Sequence, residues 1–424
     1  MKKIKFILSF LLLICISNLY SQYQQSEINT DSLLVLKNGF IVHLTSDGIS
    51  IKKGTIIIQN DTIKEVNYEN NLKIAANAKI IDLTGKYILP GLIDTHVHLA
   101  TVPKKGRNEN NVFVEDQLHR MLSSGITTVR DMAGNAIILS DYARASRLNQ
   151  IPAPSIFYAS KFVGRKNFET VRRHQDPQTI KDTPGEQIIT DSTDLKLAIA
   201  IAKGSGATGI KIYSKLSPFL VEEIVKEANL QGLKSWSHAA VFPASPLQIA
   251  TAKVHSMSHA WDIMYGLNIN STITREDLVE DINFNKLDSL LYVMKANDVI
   301  LDATNYIAEN NNMLNSVKIT KRANELGIKV SVGTDWPYWF EPEIPFYKEL
   351  RLLIDKCGFT NAEALYSATK IGAESIGLSD RGTIENGKRA DIIVLNKNPL
   401  TDLENLKDLH LTIKSGIIYK KETP

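Results

Sequence analysis

The sequence predicts an α/β protein, a TIM-type (β/α)8 barrel carrying a small β-sandwich domain built from both termini. Three observations carry this. At 424 residues and 43% hydrophobic content, the chain can enclose one large core and a smaller one. Its middle alternates eight strand-like apolar runs with helical patterns, which is the signature of parallel βαβ units with right-handed crossovers. Its two flanks share the alternating apolar and polar texture of short antiparallel strands. A doubly wound open sheet is the alternative architecture for the middle.

The chain opens with "MKKIKFILSFLLLICISNLYS", residues 1–21. Lys2, Lys3 and Lys5 precede an apolar stretch from Phe6 to Ile16 and then small and polar residues, the layout of a secretory signal peptide. The stretch is too short to cross a bilayer, and no later segment is apolar for long enough to do so. The expected location is therefore periplasmic or otherwise exported, with an uncleaved anchor as the alternative. Lipidation at Cys15 is not favoured, because the bulky Ile14 precedes it. Processing removes three of 49 basic residues and none of 46 acidic ones, leaving a chain close to neutral. Such a charge balance excludes the basic footprint of a nucleic-acid binder. Of two cysteines only Cys357 remains after processing, so neither an intramolecular disulfide nor a cysteine zinc site is available. Any metal must sit on histidines, carboxylates or something less usual.

Residues 30–88 form the N-terminal part of the β-sandwich, in runs such as "FIVHL", "GTIIIQNDTIKEV" and "AKIIDLTGKYIL". Residues 381–424, with "RADIIVLN" and "LTIKSGIIYKK", supply the rest. Between them, residues 89–380 hold the barrel. Its eight strands are "GLIDTHVHLA", "TTVRDMA", "PSIFYAS", "GIKIYS", "SWSHA", "SMSHA", "VILDAT" and "VSVGTD". After the fourth strand, Ser217 is a natural N-cap, Pro218 suits the first helical turn, and Gly232 lies just past the helix end. Thr360 and Glu363 make a capping box for a later helix.

In such a barrel the chemistry sits at the C-terminal ends of the strands. The first strand carries His96 and His98, whose i, i+2 spacing puts both imidazoles on one face. The fourth carries Lys211, the fifth ends at His238, the sixth at His259 and the eighth at Asp335. A lone strand-end histidine is more often a core or surface residue. It is the joint occurrence of all six that makes that reading improbable.

From Gly85 onward the chain resembles the amidohydrolase superfamily, in particular its imidazolonepropionase-like and prolidase-like branch. The matching pieces, in the family's order, are "GKYILPGLIDTHVHLA", "MLSSGITTVRDMAGN", "GATGIKIYS", "SWSHAA", "SMSHAWDI", "VSVGTD" and "FTNAEALYSATKIGAESIGL…GTIENGKRADIIVLNKNPL". The resemblance implies two divalent, zinc-like ions. His96, His98 and Asp335 would hold one and His238 and His259 the other, with Lys211 bridging them as a carbamate formed with carbon dioxide. Neutral imidazoles suit such ions, and an unmodified lysine, being a cation, does not. Two ions about 3.5–4 Å apart lower the pKa of a shared water and deliver hydroxide to a carbonyl, with Asp335 as catalytic proton carrier. Arg130 and Asp131 either orient ligands or form an internal ion pair.

The implied activity is hydrolysis of a C–N bond in an amide, peptide or cyclic amide. A small-molecule substrate such as a dipeptide or N-acyl amino acid is the expected partner, and a homo-oligomer is compatible with the chain. The segment "AAVFPASP" after His238 has no acid, which argues against the deaminase branch. The alternatives are a lactonase or esterase using the same centre, and an inactive binding relative. The seventh strand departs from the family's Pro-Thr-Leu with "DAT", Asp302 to Thr304. Two loops bear on specificity: a basic one with Arg165, Lys166, Arg172 and Arg173, read as a solvated face, and an aromatic one with Trp336, Tyr338 and Trp339, read as a pocket wall. The signal pattern yields a direct expectation. N-terminal sequencing of protein from its native host should find a chain that begins near Gln22, and a chain retaining Met1 in the cytoplasm would refute it.

Overall fold

The computed structural model describes residues 33–46, 48–69, 72, 74–100, 107–166, 183–267, 282–308, 310–335 and 344–419. The expected signal peptide lies outside these residues, as do Arg172, Arg173, Trp336, Tyr338 and Trp339.

Alternation of apolar residues builds the first sheet. Strands β1 (Leu33–Thr45), β2 (Gly48–Gln59) and β3 (Thr62–Asn67) run antiparallel in sequence order, and β4 (Lys79–Asp82) and β5 (Tyr87–Pro90) each pair with β1 in parallel. The chain then leaves for the barrel and returns within residues 392–419 to complete this sheet. One face of the sheet encloses its own apolar cluster, including Leu36, Ile41, Ile56, Ile63, Ile392 and Ile413. Each such side chain contributes about 1.5–3 kcal/mol when fully buried.

The barrel strands are β6 (Leu92–Val97), β7 (Ile126–Asp131), β8 (Ser155–Gly164), β10 (Gly209–Ser214), β11 (Lys234–His238), β12 (Ser256–Ser258), β13 (Ile300–Asp302) and β14 (Val330–Ser331), with β9 (Glu186–Ile189) added on the side of β8. All eight expected strands are present, parallel and in order. The last strands of the chain, β15 (Ile392–Leu395), β16 (Leu409–Lys414) and β17 (Ile417–Tyr419), complete the first sheet, β15 pairing with β5. That sheet therefore unites both ends of the chain. It is one continuous hydrogen-bonded sheet of eight strands.

The barrel is nearly closed where its first and eighth strands meet. There the Thr95 amide donates to the Val332 carbonyl at 2.9 Å and the Asp335 amide to the His96 carbonyl at 2.8 Å. These bonds align the two ends of the sheet that carry the candidate ligands. At the opposite end the short helix Gly372–Ile376 plugs the barrel. Its Ser375 carbonyl accepts from Arg130 Nη1 at 2.8 Å and Trp236 Nε1 at 2.9 Å, and the Glu374 carbonyl lies 2.6 Å from His255 Nε2. Carbonyls left over at a helix C-terminus are thus met by donors from the barrel interior. The helix signals also hold: Ser217 caps Pro218–Leu230, Gly232 turns the chain with φ of 78°, and Thr360 with Glu363 caps Asn361–Tyr366.

Lys414 fastens the sheet to the barrel's helical layer. Its buried ammonium donates to the Ser146 carbonyl at 2.5 Å, the Ser146 hydroxyl at 3.1 Å and Asn149 Oδ1 at 3.2 Å. Burial lowers its pKa from 10.5 to about 8. Between these values the unfolded chain binds more protons than the folded one, so stability should rise as the pH climbs from 8 towards 10.5. Denaturant titrations across that range should show the rise in wild type and a flatter profile in Lys414→Met. At neutral pH the variant should be less stable by about 1–3 kcal/mol, because it leaves buried acceptors unmet.

Candidate metal centre

Each strand end places a side chain by the same rule of alternation. His96 points into the barrel and is buried. His98, one residue past β6, continues on the same face, and the two rings lie 5.3 Å apart. Asp335 arrives beside them from beyond β14. Its Oδ1 is 2.7 Å from His98 Nε2 and 3.3 Å from His96 Nε2, and its Oδ2 is 3.6 Å from His259 Nδ1. The ring of His259 is 4.9 Å from that of His96 and 4.6 Å from that of His238. Four histidines and one aspartate therefore converge. Lys211 is buried in the barrel interior and reaches the cluster indirectly. Its Nζ donates to Ser258 Oγ at 2.9 Å, and that hydroxyl donates to Asp302 Oδ2 at 3.0 Å.

Three neighbouring strand ends achieve this convergence through left-handed backbone. His259, Thr304 and Asp335 have φ of 70°, 49° and 51°. Such values are uncommon outside glycine and costly for a β-branched residue, so they persist only where the surroundings hold them. Here hydrogen bonds do so: the His259 amide donates to the Asp302 carbonyl at 3.0 Å, and the Asp335 amide is the one that closes the barrel. Thr304 in turn places its hydroxyl 2.9 Å from His259 Nδ1.

The residue that sequence reasoning did not assign is Asp302. Fully buried on β13, its carboxylate meets His96 Nδ1 at 2.8 Å, Arg130 Nη2 at 3.0 Å, the Ser258 hydroxyl at 3.0 Å and the Thr95 hydroxyl at 2.9 Å. Its bond to Nδ1 orients the ring so that Nε2 faces Asp335. The departure "DAT" in the seventh strand is its signal. Gly333 is equally constrained, because a methyl group there would run into the Asp302 carboxylate and come within 2.7 Å of His96 Cβ. Of the two residues at the end of β7, Arg130 pairs with Asp302, whereas Asp131 accepts from the amides of Leu99 and Gly134, both at 2.6 Å. Asp131 thus pins the backbone just after His98. In the basic loop, Arg165 and Lys166 are exposed, in keeping with a solvated face.

Burial holds the imidazoles of His96 and His259 below their usual pKa, despite the opposing pull of Asp335. That favours the neutral form, the one that binds a metal, whereas, despite burial, the Asp335 carboxylate raises the imidazole of His98. Burial alone would raise the Asp335 carboxyl, but His96, His259 and His98 around it hold it far below the ordinary range. Asp302 behaves likewise under His96, Arg130 and Lys211. Burial brings the Lys211 amine down to about 7.

These residues fit a divalent ion. One ligand atom each from His96, His98 and Asp335 lies within 4.8 Å of the others, and two imidazoles with one carboxylate form a donor set suited to zinc-like metals. His238 and His259 add two more imidazoles beside them. Lys211 as a free ammonium does not fit the role of ligand, and as a carbamate anion it does.

Fold and site together define a class of protein, a (β/α)8 barrel with a histidine and carboxylate centre at its mouth. The sequence profile described as the amidohydrolase family matches residues 87–418, and the chain belongs to that family, a metal-dependent one whose members act on carbon–nitrogen bonds. Among characterised proteins, the 5'-deoxyadenosine deaminase of Methanosphaera stadtmanae is 24% identical over 382 residues, covering 82% of each chain. Among solved structures, a Xaa-Pro dipeptidase with bound methionine superposes with a TM-score of 0.74 at 20% identity, over 92% of this chain and all of that one. A putative prolidase from Bifidobacterium longum gives 0.69 at 23% identity, over 92% of this chain and 94% of the other. The fold expected from the sequence and the family it resembles are both borne out.

The role of Asp302 is open to direct test. Asp302→Asn should lower the affinity for zinc by about 10–100-fold, the scale for losing a partner that orients a ligand. Competition with a chelator reads this without reference to activity. Since Asp302→Asn also leaves Arg130 buried without its counter-charge, Asp302→Asn combined with Arg130→Met should fold more stably than the single variant and still bind zinc weakly.

Proposed function

We propose that the protein is an exported, metal-dependent amidohydrolase that cleaves the amide bond of a small substrate such as a dipeptide, N-acyl amino acid or cyclic amide. The observation that carries this reading is the position of Lys211. It is buried inside the barrel and joined through Ser258 and Asp302 to His96, where a carbamate would bring an anion to a second ion. The segment from Ala239 to Pro246, directly after His238, supplies no acid of the kind a deaminase uses there. His96, His98 and Asp335 would hold one ion, most simply zinc, and His238, His259 and the carbamate of Lys211 the other.

When bound, such ions polarise a carbonyl and make water a stronger acid. The protein's own groups supply the rest. Asp335, whose carboxylate lies within 3.6 Å of three imidazoles, is the group we assign to take a proton from the attacking water and return it to the leaving nitrogen. Asp302 holds the orientation of His96, and Thr304 holds that of His259. The export part of the proposal rests on the charge and length pattern of residues 1–21.

Replacing Lys211 tests the proposal. Lys211→Ala should lose at least part of its bound metal and reduce turnover on the order of 100-fold, the scale for losing one preorganised electrostatic element. Metal content per chain and amide hydrolysis, with and without bicarbonate during metal loading, are the measurements. Two ions per chain and undiminished turnover in the variant would defeat the bridging role. Hydrolysis of lactones with none of amides in the wild type would shift the reading to an esterase.

A further inference from the structure

We propose that Lys161 is the receptor for an anionic group of the substrate, a carboxylate placed close to the scissile bond. This rests on the amide-hydrolase reading above and narrows it to free acids: dipeptides and N-acyl amino acids in preference to their amides or esters.

The position of Lys161 follows from strand register. On β8 it is the Cα partner of Lys211 on β10, and partners in a parallel pair project to the same side of the sheet. Its side chain therefore enters the barrel at the level of Lys211. The ammonium lies 4.9 Å from the centre of the Tyr213 ring, and that ring is 4.2 Å from the ring of His238. Lys161 thus stands one aromatic ring away from a candidate ligand.

The ammonium is held without being used up. Its carboxylate partner is Glu186 on β9, with Nζ to Oε1 at 3.0 Å. The side chain of Lys161 is 17% exposed and that of Glu186 is 39% exposed. A pair whose acid faces water is weak, because solvent competes with it and screens it. The Tyr213 face also attracts the cation and keeps it near the site. An incoming carboxylate can therefore take the place of Glu186, which returns to water, and the cation need not be desolvated afresh.

Substrate dimensions agree. In a dipeptide or an N-acyl amino acid the carboxylate carbon is three bonds from the scissile carbonyl carbon, a span of at most about 4 Å. From a carbonyl near His238 and His259 that span reaches the Tyr213 side of the centre, where a lysine side chain can meet the carboxylate. Lys211 cannot serve this purpose, because the carbamate proposed for it is itself an anion.

Calorimetric titration of the metal-loaded protein with N-acetylmethionine and with N-acetylmethioninamide tests the assignment, and it reads binding whether or not either compound is hydrolysed. Wild type should bind the acid at least tenfold more tightly than the amide. Lys161→Ala and Lys161→Gln should lose that preference while affinity for the amide stays as in wild type, and Lys161→Arg should keep most of it. A preference that survives in Lys161→Ala would overturn the proposal and assign the carboxylate to the metal ions. So would a wild type that binds acid and amide equally. Turnover is a separate question: lactone hydrolysis without amide hydrolysis counts against the amide reading, whatever the titrations give.

Discussion

A carboxylate deprived of water must be met on every side by donors, and Asp302 is such a carboxylate at the centre of the barrel. Its four partners come from separate places in the fold: Thr95 and His96 on β6, Arg130 on β7 and Ser258 on β12. Satisfying one side chain therefore ties the first, second, sixth and seventh strands together beneath the candidate metal centre. Ser258 extends the network to Lys211 on the fourth strand. Gly333, by having no side chain, lets the eighth strand pass close enough to complete the ring.

The same network joins the site to the far end of the barrel. Arg130 lies between the Asp302 carboxylate and the Ser375 carbonyl, with its guanidinium over the Trp236 ring at 4.8 Å. A buried ion pair of this kind adds little net stability, since desolvation offsets much of its attraction. What it supplies here is a single permitted geometry. His96 has one orientation that meets Asp302, and in that orientation Nε2 faces Asp335.

Backbone strain tells the same story from the loops. The sixth, seventh and eighth strands each end on a residue with positive φ, and each of the three residues has its side chain in or against the centre. A regular strand would continue past the site with alternating side chains. The left-handed residue breaks that alternation and turns a side chain inward, at a local cost that the surrounding hydrogen bonds offset.

Much of this molecule is legible in its sequence. The alternation of apolar runs determined the eight barrel strands and the sheet shared by both termini, because burial on a strand or helix leaves a periodic trace. His96, His98, Lys211, His238, His259 and Asp335 are also legible, since packing alone seldom puts metal-binding residue types at one strand end after another. The tertiary structure alone decided the roles of Asp302, Thr304 and Gly333 and the placement of Lys161 beside Tyr213. Asp302 and His96 are 206 residues apart, and the gap between Asp302 and Arg130 is 172. Contacts at such separations depend on strand register, on closure of the barrel and on the φ of single residues. None of these leaves a periodic trace in the chain.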